Sequence, residues 1–282
     1  MLTRRETLPL YDIEESVRVF VLGTGSSGNA LLVEANGTRI LVDAGVGPRK
    51  TEARLGRLGI SFSERAGDRI DAIIATHEHG DHFGEVASLA RAFGATIFMH
   101  RRIDAVKVRS RFDVQTYEPG RPFRIGSLVI EAEHVPHDAP QVAVRVAEDQ
   151  GGPAIGVATD VGRITNGLVG LLAQCDAALV EANHCAEMLA LGPYPDRLKR
   201  RVSGGLGHLN NDQTAELAAR LSGSRLTQLW LGHLSKQNNT PERALDVVAS
   251  KAKRIDVEVL PHGHVCALDV KRKRAAQLAL PF

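Results

Sequence analysis

The chain has 282 residues, of which 43% are hydrophobic and 24% are charged, and its formal net charge is +2 at pH 7. This composition suits a globular chain with a large core, and the near balance of charge neither requires nor excludes a nucleic-acid partner. No apolar run is long enough to cross a bilayer, residues 1–17 do not resemble a signal peptide, and three scattered cysteines argue against a disulfide framework. We therefore expect a cytoplasmic protein without a membrane partner.

The predicted elements begin as a meander of strands and continue as strands that alternate with helices. Asn36-Gly37, between the second and third strands, is a strong signal for a hairpin turn. This order predicts two sheets covered by outer helices. The strands are predicted at residues 18–22, 30–34, 38–42, 70–75, 96–100, 128–135, 141–146, 154–159, 177–181, 228–231 and 257–260, and the helices at 50–59, after His82, at 212–221 and at 241–251.

The most informative segment is His77-Glu78-His79-Gly80-Asp81-His82, which follows a predicted buried strand. Residues two apart do not share a helix face, so His77 and His79 converge only on a strand end or in the turn after it. Asp81 and His82 then point towards a second ion nearby. Imidazoles and a carboxylate suit Zn²⁺, and also Mn²⁺ or Fe. Surface histidines beside an acidic helix cap are the alternative, but four ligands within six residues favour a metal site.

This segment is similar to the HxHxDH signature of the metallo-β-lactamase superfamily. Asp43, in Leu41-Val42-Asp43-Ala44-Gly45, resembles the acidic residue of that family's first motif. The resemblance implies an α/β fold, the αβ/βα four-layer sandwich of two mixed β-sheets flanked by helices, over residues 1–270. It also implies a site for two divalent metal ions, Zn²⁺ or Mn²⁺ with Fe as a further possibility, at the shared edge of the sheets.

The remaining motifs of the family suggest the other ligands. His137 resembles the third motif and would complete the shell of the first ion, with His134 as the competing residue. Asp160 resembles the bridging carboxylate of the fourth motif, because two carboxylate oxygens can span ions roughly 3.5–4 Å apart. His262 resembles the last ligand of the second ion, with His264 as the alternative. The implied ligand set is His77, His79, Asp81, His82, His137, Asp160 and His262.

Several further segments look like the YycJ/WalJ-type group of bacterial metallo-β-lactamase-fold proteins. They are residues 23–30, 183–184, 192–202, 207–211 and 233–239, the last of which also resembles the His-x-Ser motif of the ribonuclease Z branch. The resemblance implies a phosphodiesterase that acts as a 5′–3′ DNA exonuclease. The alternative is a small-molecule hydrolase of the same fold, such as a lactonase, a thioesterase or a cyclic phosphodiesterase.

On the nuclease interpretation, Asp81, His233, His208 and His184 are the candidate catalytic residues, although each of the three histidines is equally a candidate for a structural role. The glycine-rich turn Gly23–Gly28 would cradle a phosphate or serve only the chain reversal. The basic cluster of Arg197, Lys199, Arg200 and Arg201 would contact the DNA backbone or form a solvated helix face. The candidate substrate-binding residues are Ser26, Ser27, Asn29, Arg197, Lys199 and Arg200.

Residues 271–282 form a basic tail that begins Lys271-Arg272-Lys273-Arg274. The chain end resembles the short peptide with which many bacterial replication and repair proteins bind the DNA sliding clamp. Its docking residues would be Gln277, Leu278, Leu280 and Phe282; packing of the tail on its own domain is the alternative. A homodimer is compatible with the family resemblance, but no residue pattern marks an interface.

Overall fold

The computed structural model describes residues 17–60, 69–260, 263, 265–270 and 272. Within these residues the strands are β1 Val17–Gly23, β2 Ala30–Ala35, β3 Thr38–Val42, β4 Ala72–Ala75, β5 Thr96–His100, β6 Val114–Tyr117, β7 Phe123–Ile125, β8 Leu128–Val135, β9 Gln141–Glu148, β10 Ala154–Ala158, β11 Ala177–Glu181, β12 Gln228–Gly232, β13 Asp256–Val259 and β14 Cys266–Val270. The helices are α1 Pro48–Arg57, α2 Gly80–Phe83, α3 Val86–Phe93, α4 Val106–Arg109, α5 Asn166–Leu172, α6 Ala186–Leu191, α7 Asp196–Ser203, α8 Asn211–Leu221 and α9 Pro241–Ala249.

The strands form two mixed seven-stranded sheets. The first has the order β14-β1-β2-β3-β4-β5-β6 and the second has the order β13-β12-β11-β10-β9-β8-β7. Strands β3 to β6 are parallel to one another, as are β10 to β13. The hairpin predicted at Asn36-Gly37 is present between β2 and β3, with positive φ at both residues.

Three hydrophobic layers hold the sheets and helices together. Side chains such as Val33, Ile74 and Val144 fill the space between the two sheets. Leu55 of α1 and Leu89 of α3 cover the outer face of the first sheet, and Leu217 of α8 lies in the cluster that covers the second. The predicted four-layer sandwich is confirmed. Among the described helices, none is both long and apolar enough to span a bilayer.

This topology brings polar side chains to one edge. Asp43 and His233 directly follow strands β3 and β12, and His77 and Asp160 lie two residues after the ends of β4 and β10. Strand β11 ends in Glu181. Because the carboxyl ends of parallel strands lie on the same side of a sheet, each sheet contributes its polar residues at one edge. The fold therefore explains why these five side chains lie close together although they are far apart in the chain.

Candidate metal centre

Three histidines form the first group that could hold an ion: His77, His79 and His137, whose ligand atoms lie within 4.8 Å of one another. His79 Nδ1 is 3.3 Å from His137 Nε2, and His137 Nδ1 is 3.2 Å from the carbonyl of Gly207, to which it can donate. His134, the competing residue, packs its ring against His100 at a centroid distance of 5.8 Å and is in none of the ligand groups among the described residues.

Asp81, His82 and His233 form a second group within the same distance limit. Asp160 lies between the two groups. Its Oδ2 is 2.8 Å from His82 Nε2 and 3.7 Å from His233 Nε2, while its Oδ1 is 3.9 Å from His137 Nε2. One carboxylate oxygen thus faces each group, which is the arrangement of a bridging ligand.

The donor set fits divalent cations. The buried atoms His77 Nε2 and His233 Nε2 have no hydrogen-bond partner. Leaving buried polar atoms unsatisfied is costly, so each such atom calls for an explanation, and a bound cation supplies one. Imidazole nitrogens with carboxylate oxygens are a set that zinc and related metals accept. The residues present therefore fit divalent metal ions.

Two buried carboxylates stand behind the second group. Asp43 Oδ2 is 2.7 Å from His82 Nδ1, and Asp43 Oδ1 accepts hydrogen bonds from the backbone N–H and hydroxyl of Thr76. This contact assigns Nδ1 of His82 to Asp43 and leaves Nε2 for a metal. The role expected for the first-motif aspartate, behind the metal loop, matches this position.

Glu181 is the second of these carboxylates, and it is not among the ligands or catalytic residues predicted from the sequence. Its Oε2 is 3.0 Å from His208 Nδ1 and 3.3 Å from His233 Nδ1. Its Oε1 accepts hydrogen bonds from the backbone N–H groups of Val161 and Leu209, so both carboxylate oxygens are held in place. Glu181 orients two histidines at once. A carboxylate as the last residue of an otherwise apolar strand was the signal available in the sequence.

The electrostatics show a concentration of negative charge. Although burial lowers it, the carboxylates of Asp160 and Asp43 raise the pKa of His82 to about 10. Although burial raises it, His208 and His233 lower the pKa of Glu181 to about 2. The low pKa keeps Glu181 ionised and the raised pKa keeps His82 protonated when no cation is bound; a bound cation would displace that proton.

Backbone strain is concentrated at the same residues. Asp43, Asp160 and His233 have φ of 65°, 57° and 52°, in the left-handed region that residues other than glycine seldom adopt. All three follow the end of a strand. Strained backbone of this kind persists where the surroundings hold it in place, and it is common at functional sites.

The residues predicted to bind substrate divide into two sets. Ser26 lines a cavity of about 440 Å³ that lies above the ligand groups. Ser27 lines a neighbouring cavity instead. Asn29 is buried, its Oδ1 accepts from the N–H of Gly25, and its Nδ2 is 2.7 Å from His82 Nε2. The structure thus places Asn29 against the ligands rather than on the cavity surface.

In helix α7, one of the four basic residues of the cluster lines the cavity. Arg201 lines the cavity together with Leu198 and Val202, whereas the predicted residues Arg197, Lys199 and Arg200 do not. Lys199 Nζ instead donates to the carbonyl of Ala190. The cause is helical spacing, since positions 198, 201 and 202 share one face and the three predicted cations lie off it.

The predicted catalytic histidines also differ in position. His208 and His233 line the cavity, and His233 belongs to the second ligand group. His184 is only 1% exposed, pairs through its backbone with Asn210 and does not line the cavity. His262 and His264 lie outside the described residues, as do Gln277, Leu278, Leu280 and Phe282, so the predictions for them stay predictions.

Comparison with known proteins agrees with this geometry. The family profile of the metallo-beta-lactamase superfamily matches residues 23–183. The chain is 33% identical over 248 residues to Exodeoxyribonuclease WalJ of Streptococcus pneumoniae serotype 2, covering 85% of this chain and 89% of that protein. It is 30% identical over 237 residues to Exodeoxyribonuclease YycJ of Bacillus anthracis, covering 79% and 84%.

Among solved structures, the metallo-beta-lactamase fold protein YhfI of Bacillus subtilis superimposes with a TM-score of 0.66 at 18% identity, over 89% of this chain and 99% of that one. The fold, the ligand geometry and the sequence profile agree. The chain belongs to the metallo-β-lactamase superfamily.

Proposed function

We propose that this protein is a metal-dependent DNA exonuclease that removes nucleotides from the 5′ end. The observation that carries the proposal is Asp160, whose two oxygens face two adjacent ligand groups at the floor of one cavity. Two cations held side by side suit the hydrolysis of a phosphodiester. The similarity to two proteins named as exodeoxyribonucleases supports DNA as the substrate.

In the proposed site, His77, His79 and His137 would hold one ion, Asp81, His82 and His233 would hold the other, and Asp160, which faces both groups, would be shared between them. When bound, divalent cations neutralise charge on the phosphate and lower the pKa of water. His233 is proposed as a ligand of the second ion because its Nε2 approaches Asp81 and Asp160; His262, which lies outside the described residues, stays the ligand suggested by the sequence. Zn²⁺ and Mn²⁺ are the ions we propose first, because both accept imidazole with carboxylate ligands.

His208 is the proposed proton donor. Glu181 holds its Nδ1, so Nε2 is left for the substrate, and the ring lines the cavity beside the ligand groups. Although burial lowers it, Glu181 raises the pKa of His208, which favours the protonated ring. In hydrolysis the water oxygen bonds to phosphorus and its proton passes to solvent, the bond from phosphorus to O3′ of the departing nucleotide breaks, and the His208 proton goes to that O3′.

The test is degradation of DNA labelled at its 5′ or 3′ end, with Mn²⁺ or Zn²⁺ added to protein stripped by chelation. We expect metal-dependent release of the 5′ label as a single nucleotide by the wild type and none by Asp81→Asn. A protein that binds two metal ions and degrades no DNA would overturn the proposal and favour a small ester or phosphodiester substrate.

The tail prediction has a separate test. We propose that residues 277–282 bind the DNA sliding clamp, on the basis of the sequence Gln277-Leu278-Ala279-Leu280-Pro281-Phe282 behind a basic run. A pull-down with purified clamp should retain the full chain and lose the chain that ends at residue 276. Equal retention of the two would contradict the proposal.

A further inference from the structure

The cavity above the ligand groups has an apolar wall that metal binding does not need. Tyr194, Leu198 and Val202 line it from the segment of α7 and the turn before it. Leu198 and Val202 are four apart on α7 and share one face of the helix, and Tyr194 lines the cavity from the extended segment before it. A phosphate needs cations and hydrogen-bond donors, so this wall suits another part of the substrate.

The wall is anchored on the side of the first ligand group. Arg201 Nε is 2.7 Å from Asp138 Oδ2, and Asp138 Oδ1 is 3.3 Å from His79 Nε2 and 3.2 Å from His137 Nε2. Helix α7 is therefore fixed directly beside the first group. Its apolar face lines the same cavity as His79 and His137 of that group.

A second part of the lining follows the second group in the chain. Residues 234–237 directly follow His233 and also line the cavity. The segment after α6 packs on the residue next to them: a Cβ added to Gly192 would lie 2.5 Å from Asn238 Oδ1, and Cys185 N–H donates to the carbonyl of Asn238. The cavity lining therefore includes segments beside each of the two ligand groups.

We infer that this cavity takes one unpaired terminal nucleotide, with its base stacked on the ring of Tyr194. This inference rests on the proposed nuclease function. A volume of about 440 Å³ is in the range of small-ligand sites and suits one nucleotide. Aromatic stacking is tolerant of base identity, as an enzyme that degrades any sequence requires. The substrate is therefore an end that is single-stranded or has opened.

The test compares two single-stranded oligonucleotides, identical except that one has an abasic residue at its 5′ end. Loss of stacking should raise the KM of the wild type for the abasic substrate by about 5- to 150-fold. Tyr194→Ala should raise the KM for normal DNA by a similar factor and should not raise it further for the abasic DNA. Tyr194→Phe, which keeps the ring, should behave as the wild type.

Leu191→Ala is the matched control, because Leu191 is 81% exposed in the same segment and does not line the cavity. The wild-type comparison of the two substrates needs no variant, so it tests the inference even if Tyr194→Ala does not fold. Blunt duplex DNA should also be cleaved more slowly than DNA with a single-stranded 5′ end.

Three outcomes separate the claims. Equal KM values of the wild type for both substrates, or independent effects of the variant and the abasic end, would overturn the stacking role while the nuclease function stands. Equal rates on blunt and single-stranded ends would overturn the requirement for an unpaired nucleotide. No cleavage of any DNA would overturn the proposed function and this inference with it.

Discussion

The two ligand groups differ in what lies behind them. Behind the first, His77 contacts the hydroxyl of Thr76, His137 contacts the carbonyl of Gly207, and His79 contacts Asp138, whose side chain is 29% exposed and shared with Arg201. Behind the second are Asp43 and Glu181, two carboxylates with side chains that are almost fully buried. One group is supported by neutral or exposed partners and the other by buried charge.

This difference predicts that the two groups bind metal ions with different affinities. The second group includes Asp81 and shares Asp160, so a cation there meets more negative charge than one held by three imidazoles. Carboxylates that orient ligating histidines also strengthen metal binding. We expect the second group to fill first and to hold its ion more tightly, while the first group exchanges its ion more readily.

Asp160→Ala should have the largest effect, because it removes the ligand that the two groups share. Loss of charge neutralisation worth several kcal/mol corresponds to a fall in kcat of roughly 1,000-fold or more. Metal analysis of the purified variant should find fewer than two ions per chain. Retention of both ions with kcat within 10-fold of the wild type would show that Asp160 does not bridge.

Glu181→Gln should weaken the second group while leaving the first in place. Loss of an orienting carboxylate typically costs about 10- to 100-fold in metal affinity or activity. Titration of metal-free protein against a chelating dye should show the weaker ion changed little and the tighter ion weakened. The matched control is Glu187→Gln, since Glu187 is exposed and pairs with Arg243 on the surface; an equal effect of the two variants would remove the role assigned to Glu181.

Asp138→Asn should have a smaller effect, of about 10-fold, because among the proposed ligands Asp138 contacts only His79 and His137 of the first group, and its side chain is 29% exposed. In the same titration the weaker ion should lose affinity and the tighter one should not. The comparison between the groups fails if Asp138→Asn weakens the tighter ion more than Glu181→Gln does.

Arg201→Ala should have the smallest effect on stability. Its pair with Asp138 is solvent-exposed, and exposed pairs contribute about 0–1 kcal/mol to the free energy of unfolding. The KM for DNA should nevertheless rise, because the variant removes a cation from the cavity wall. Arg243→Ala, which breaks another exposed pair, is the control for both measurements, by thermal unfolding and by initial rates. Equal KM values for the two variants would argue against contact between Arg201 and DNA.

Much of the fold followed from the sequence because buried strands are short, nearly continuous apolar runs. The predicted bounds of residues 38–42 and 128–135 are those of β3 and β8, and the Asn36-Gly37 turn has the conformation that this dipeptide favours. Strands β6, β7 and β14 and helices α4, α5 and α6 were not predicted. Their segments are short, and β14 alternates between half-buried and exposed residues, so the apolar pattern is weak.

The site was predictable where its residues are adjacent in the chain, as in residues 77–82. It was less so where the distance between strand ends decides a role. His233 and His262 both follow predicted strands, and only the structure shows that His233 Nε2 approaches Asp81 and Asp160. Glu181 was missed because it is the last residue of a predicted strand that is otherwise apolar. Arg201, rather than its three neighbours, lines the cavity through helical phase, which charge counting does not reveal.

The most direct test of the account is a crystal structure of the protein loaded with Mn²⁺ or Zn²⁺, with the ions located by anomalous scattering. We predict two peaks, one bound by His77, His79 and His137 and the other by Asp81, His82 and His233, with the Asp160 carboxylate between them. A single peak, or a second ion bound by His262 with His233 turned away, would contradict the account.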